Sequence, residues 1–177
     1  KAARFMQLCD AFDIPLVVLA DTPGNMVGPE AEKTGLIRHC CRMFVTGPNL
    51  TVPVFTIVLR KGYGLGILAM AGGCSHASFF TIAWPSGEFG GMNLEGSVKL
   101  GYRKELEAIA DPEEREAAFQ KMVTNAYEQG KALNVAMGFD FDDVIDPAET
   151  RTWIVAGLES TPIPRREGKK RPFIDTW

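Results

Sequence analysis

Residues 60–73 read RKGYGLGILAMAGG, with Gly62, Gly64 and Gly66 close together and Gly72 and Gly73 just after. The run before it, TVPVFTIVLR (51–60), is apolar and rich in β-branched residues and predicts a buried strand. Ile67 to Ala71 predict the start of a short apolar helix. Bare backbone at such a strand-to-helix switch has two uses. Glycines permit tight turns and close helix–strand packing. They also let a ligand approach the N–H groups that a first helical turn leaves unpaired. Two such groups can hold one oxygen on which negative charge develops. The amides of Leu65 and Gly66, at the expected helix start, are the best-placed pair.

The same alternation extends outward. Ala2, Phe5, Met6, Cys9 and Phe12 fall at helical spacing with no capping residue before them, so the chain is expected to be a piece of something longer. PLVVLAD (15–21) predicts a fully buried strand, followed by a Thr22-Pro23-Gly24 turn. Gly28 and Pro29 open a helix, with Leu36, Cys40 and Phe44 on one face, Ile37 and Cys41 beside them, and Gly47-Pro48 at its end. ASFFTIAW (77–84) predicts a third strand, closed by Pro85-Ser86-Gly87, and residues 92–101 another short helix. Beyond lie helices opened by Asp111-Pro112, with Glu114 as capping-box carboxylate, and by Asp146-Pro147. Strands alternating with helices predict an α/β protein with largely parallel strands.

At 177 residues and 46% apolar composition, the chain is sized for one domain with a real core. A net charge of −3 points to neither nucleic acid nor an anionic membrane, and no apolar run reaches the ~18 residues that span a bilayer. Cys9, Cys40, Cys41 and Cys74 form no CxxC pair and only His39 and His76 could join them, so no metal site is expected. They read as reduced, buried thiols of a cytoplasmic protein. Asp140, Asp142, Asp143 and Asp146 lack the glycine and glutamate of a calcium loop and read as caps and a solvated turn. The tail carries Arg165, Arg166, Lys169, Lys170 and Arg171, then Phe173, Ile174 and Trp177, a solvated run or a segment docking on a neighbouring subunit.

Several motifs fail. DTPG (21–24) matches the DxxG of GTPases, but no phosphate-cradling G-x-x-x-x-G-K-[ST] accompanies it. Ile67 stands where a dinucleotide fingerprint needs its third glycine. Ser75, Ser78, Ser86 and Ser97 lie in no G-x-S-x-G elbow. With so few acid–base candidates, the expected chemistry is one that needs an enolate or similar oxyanion stabilised while substrate or cofactor moves the proton.

KAARFMQLCDAFDIPLVVLADTPGNMVG (1–28), the helix carrying GLIRH (35–39), RKGYGLGILAMAGG and AWPSGEFGGMNLEGSV (83–98) occur in the order of a known family, down to DDVIDPAETR (142–151). The chain resembles the β-type carboxyltransferase subunits of biotin-dependent acyl-CoA carboxylases, the propionyl- and acetyl-CoA carboxylase family. The resemblance implies a crotonase-like fold, a spiral of ββα units with C-terminal helices. Residues 1–160 would form the C-terminal carboxyltransferase domain and 161–177 a basic and apolar tail, with the N-terminal domain apparently absent from this chain. Such domains face the N-terminal carboxyltransferase domain of a neighbouring subunit in a homo-oligomer, with biotin carboxyl carrier protein and biotin carboxylase as further partners. Carboxybiotin on that separate carrier and acyl-CoA meet between the two domains.

The implied activity is transfer of the carboxyl group to the α-carbon of an acyl-CoA, by a half-site expected to be inactive alone. Losing the carboxyl group leaves negative charge on the ureido oxygen, and deprotonating the α-carbon leaves it on the thioester oxygen; the freed biotin nitrogen can itself take the proton. The resemblance gives the backbone amides of Leu65 and Gly66 the oxyanion role, and Tyr63 and Gly64 a place beside them. Many members carry glycine then alanine where this chain has Leu65 then Gly66. Leu68 falls where the family's acyl-chain choice is set, and it speaks against propionyl-CoA. Pro23, Gly24 and Gly28, and Pro85 and Gly87, fall near the biotin pocket or are ordinary turns. A decarboxylase subunit running the transfer backwards, and a non-catalytic biotin-binding or assembly module, are the alternatives.

Overall fold

The computed structural model describes residues 1–162 and Ile174. Helix α1 (Ala2–Ala11) buries Ala3, Met6, Cys9 and Ala11. Phe5 and Phe12 lie on the flank of that face and are exposed, because the sheet covers only a narrow stripe of the helix. The buried Asp10 carboxylate accepts from the Thr51 amide (2.6 Å), the Thr51 hydroxyl (2.9 Å) and the Val52 amide (3.1 Å), tying the end of α1 to the approach of a later strand.

Strand β1 (Leu16–Thr22) follows, and then one helical turn, α2 (Pro29–Glu32). The single helix expected here is two, because Gly35 takes a left-handed φ of +72° and restarts the chain as α3 (Leu36–Thr46). On α3, Leu36, Cys40 and Phe44 are half-buried while Ile37 and Cys41 are exposed. A 3-10 turn at Gly47–Asn49 leads to β2 (Val54–Tyr63) and directly into α4 (Gly64–Met70). Then come β3 (Phe80–Ala83), β4 (Glu88–Gly90), α5 (Leu94–Gly101), α6 (Arg103–Glu107), α7 (Pro112–Gln129), α8 (Ala132–Met137) and β5 (Asp143–Val144). A 3-10 turn at Pro147–Glu149 opens α9 (Thr150–Ser160).

The strands form one parallel sheet in the order β1-β2-β3-β5, with β4 against the far end of β2. Strand β2 organises it. Its first half, Phe55 to Val58, pairs with β3, and its last three residues, Lys61 to Tyr63, pair with β4. Val54 to Val58 are all buried, as a central parallel strand requires. Strand β1 is different: it alternates, and Val17 and Leu19 are 45% and 56% exposed. The fully buried strand expected there is half-buried, because β1 is an edge and its outer face is uncovered. Below the sheet, Phe55, Ile57, Phe80, Ile82 and Ile145 pack with Trp153 of α9, its ring edge-on to Phe80 at 5.6 Å. Above it, Ala20, Val58, Ile67, Ala83, Ala132 and Phe141 form the core under the candidate site.

Caps behave as their side chains dictate. Asn93 accepts from the Gly96 amide at 2.9 Å, Asp111 from the Glu113 amide at 3.0 Å, and Asp146 from the Ala148 amide at 2.8 Å. Asp142 does something else: it pairs with β3, accepting from the Thr81 amide at 2.6 Å, and so opens β5. Among the described residues no cluster of three His, Cys, Asp or Glu could hold a metal ion, and no helix is long and apolar enough to cross a membrane. The four cysteines are free thiols. Cys9 is buried, whereas Cys41 and Cys74 are exposed, contrary to the expectation of four buried thiols, because each lies on a side the sheet does not cover. Apart from Ile174, the basic and apolar residues of the tail lie outside the described residues.

Candidate active site

The glycine stretch begins inside the strand rather than after it. Lys61, Gly62 and Tyr63 complete β2, and the helix starts at Gly64, three residues earlier than Ile67. Tyr63 is buried, and its hydroxyl donates to Glu88 Oε1 at 3.1 Å. Burial first, and the Glu88 carboxylate second, push the phenol far above its ordinary value, so it remains a donor at any working pH. At Gly64 the backbone turns left-handed, φ +56°, and a Cβ there would lie 2.9 Å from the Gly91 carbonyl oxygen. Only glycine fits both demands.

That turn aims the first amides of α4 away from the sheet. No side chain caps the helix, and among the described residues the Leu65 and Gly66 amides donate to no protein acceptor. Leu65 is 59% exposed, while Gly66 is buried. A Cβ on Gly66 would lie 3.0 Å from Gly24 Cα and from Thr22 Oγ1. The loop after β1 therefore packs directly behind the turn. Gly24, with φ +102°, donates its amide to Thr22 Oγ1 at 3.2 Å and lies under the Tyr63 carbonyl. Asp21 anchors the base of this loop, its carboxylate accepting from the Arg60 guanidinium and the Lys61 amide. Those hydrogen bonds, Arg60's first, hold the Asp21 carboxyl below the usual carboxylate range. Farther out on the loop, Met26 and Val27 are exposed, and Gly28 caps α2 in open space.

In front of the turn opens a cleft of about 680 Å³. Gly62, Gly64, Leu65, Ile67 and Leu68 form one wall. Phe89, Gly90 and Gly91 of β4 and its exit face them, and Val135 and Phe141 line the depth. Phe89 stacks on Phe141 with ring centroids 4.8 Å apart. The bare positions again have steric reasons. A Cβ on Gly62 would touch the Phe89 ring at 3.0 Å, and one on Gly90 would lie 2.8 Å from the Tyr63 ring.

The structure thus brings together Tyr63, Gly64, Leu65, Gly66, Leu68 and Gly24, with Pro23 beside Gly24. Pro85 and Gly87 are not part of this group. They form the turn between β3 and β4, where Gly87 donates to the Trp84 carbonyl at 2.8 Å and accepts from the Ala132 amide at 2.8 Å. The facing wall of Phe89, Gly90, Gly91, Val135 and Phe141 was not singled out from sequence. The paired glycines of EFGGMN were its only local signal, since Phe141 arrives from a distant segment.

A parallel α/β sheet whose long central strand ends in a glycine turn beside an apolar cleft has the architecture of crotonase-fold carboxyltransferase domains. The carboxyl transferase domain family matches residues 1–171, and the chain belongs to that family. It is 42% identical over 159 residues to the methylmalonyl-CoA carboxyltransferase 12S subunit of Propionibacterium freudenreichii subsp. shermanii, covering 90% of this chain and 30% of that protein. The solved transcarboxylase 12S hexamer, with methylmalonyl-CoA and methylmalonic acid bound, superposes with a TM-score of 0.80 at 36% identity, over 97% of this chain and 34% of that one. A single-chain, multi-domain long-chain acyl-CoA carboxylase is 52% identical with a TM-score of 0.75, over 88% of this chain and 15% of that one. The chain spans about 30% of the length of the curated relatives it matches.

Proposed function

We propose that this chain supplies one half of the carboxyl-transfer site of a biotin-dependent acyl-CoA carboxylase, moving a carboxyl group onto the α-carbon of an acyl-CoA. The observation that carries the reading is the pair of unpartnered amides, Leu65 and Gly66, at the mouth of an apolar cleft in a chain of this family. An oxygen gaining negative charge between them meets two fixed donors that need no reorganisation, and each is worth roughly 3–4 kcal/mol of transition-state stabilisation. The left-handed Gly64 aims them, the Tyr63–Glu88 bond holds the strand end, and Gly24 backs the turn.

The residues on the loop side fit biotin. Pro23, Met26 and Val27 are exposed in the loop behind the amides, a surface on which an apolar ring can rest. When bound, biotin supplies the carboxyl group and a nitrogen able to take the α-proton. In this reading Leu68 limits the acyl group, and the chain works in the cytoplasm within a homo-oligomer. The N-terminal carboxyltransferase domain of a neighbouring subunit closes the site, and biotin carboxyl carrier protein and biotin carboxylase deliver the carboxyl group.

The test is transfer of a labelled carboxyl group between the biotinylated carrier and acyl-CoA, catalysed by the full-length protein. Transfer is expected, in either direction according to the ratio of products. Its absence with every acyl-CoA would leave only a binding or assembly role.

A further inference from the structure

The cleft has two unlike ends. At its mouth stand the Gly64 turn and the free amides; its interior is hydrocarbon. Ile67, Ala71 and Phe141 are buried, and Leu68, Phe89 and Val135 pack onto the same core. The interior hydroxyl of Thr81 is already spent on the Ser75 carbonyl, at 2.5 Å. Asp140, at the edge, is exposed to solvent. A volume of about 680 Å³ is typical of sites that engulf a whole small molecule, about 300–1,000 Å³. A two- or three-carbon acyl group would fill a small part of it. Water left in the remainder would find few partners on walls of this kind, where a buried water needs about two to four.

Resting on the carboxyltransferase reading above, we propose that the cleft binds the tail of a medium- or long-chain acyl-CoA, with its thioester oxygen at the Leu65 and Gly66 amides. The α-carbon then stands at the mouth, where the carboxyl group arrives from the loop side, and the chain runs inward between Leu68 and the Phe89–Phe141 stack. The stacked rings are rigid, so the hydrocarbon gains contact without ordering flexible side chains. The bare Gly90 and Gly91 keep the facing wall low enough for a chain to pass.

The experiment is a kcat/KM series with the full-length protein and its biotinylated carrier, using saturated acyl-CoAs from acetyl to palmitoyl. The expected result is a rise of about fourfold per methylene, the equivalent of about 0.8 kcal/mol, until the cleft is full. A preference that peaks at acetyl or propionyl, or stays level, overturns the proposal and leaves the carboxyltransferase reading standing. Failure with every chain length overturns both. Val135→Phe, which narrows the interior, is expected to lower the palmitoyl-to-butyryl ratio of kcat/KM about tenfold or more. An unchanged ratio, or a change confined to KM for the carrier, means that the cleft holds something other than the acyl chain.

Discussion

Gly64→Ala is the sharpest single perturbation of the turn, because two separate costs fall on one methyl group. The φ of +56° belongs to the left-handed region, where an ordinary residue loses about 1–2 kcal/mol. The new Cβ would also lie 2.9 Å from the Gly91 carbonyl oxygen. That atom is backbone, so relief requires β4 and α4 to part, and overpacking of this kind costs about 1–3 kcal/mol. The sum is roughly 2–5 kcal/mol. Gly91→Ala, across the same contact, is the control: a Cβ there meets nothing within 4 Å and its φ is not positive, so the change is expected within about 0.5 kcal/mol. Denaturant unfolding of the two full-length variants, compared as midpoint shifts at constant m, measures the difference. Transfer activity of Gly64→Ala should fall by about a hundredfold, since displacing the amides by a fraction of an ångström misaligns the donors. Equal stability of the two variants would refute the steric reading of the turn.

Three further outcomes follow from the same geometry. Asp10→Ala strands two buried amides and a hydroxyl, and a loss of roughly 3 kcal/mol is expected in the same unfolding assay. Tyr63→Phe removes one hydrogen bond and should cost about 1 kcal/mol. Tyr63→Leu also strips ring contacts from Gly90, and should cost more and slow carboxyl transfer. The Asp21 carboxyl is held low by Arg60, so the stability it contributes is present above its unfolded pKa and is lost as pH falls through the folded one. Arg60→Gln should raise the Asp21 pKa toward about 3.9, read by NMR titration.

Much of this fold was legible locally. The β-branched run that became β2, the Asn93, Asp111 and Asp146 caps, and the break at Gly47-Pro48 are set by the chemistry of a few neighbouring residues. Strands β4 and β5 were not legible, since three and two residues are too short to show a period and both contain acidic positions. The end of β2 was hidden by its own glycines. Gly62 reads as a turn residue but is bare to admit the Phe89 ring, a neighbour 27 positions away. Exposure on α1, α3 and β1 depends on what covers them, which no local pattern records. In the candidate site, the glycine turn announced itself. The wall facing it depends on β4 and α8 folding over, and only the sheet brings Phe141 to Phe89.

The most direct test replaces the Leu65 amide, and separately the Gly66 amide, by an ester in the full-length protein, exchanging one N–H for oxygen at nearly constant shape. If these hydrogens hold a developing anion, each replacement should lower kcat by about 10²–10³ while leaving KM for acyl-CoA nearly unchanged. Turnover within about threefold of the parent enzyme in both esters, with folding intact, would contradict the claim that unpaired main-chain donors carry the chemistry of this site.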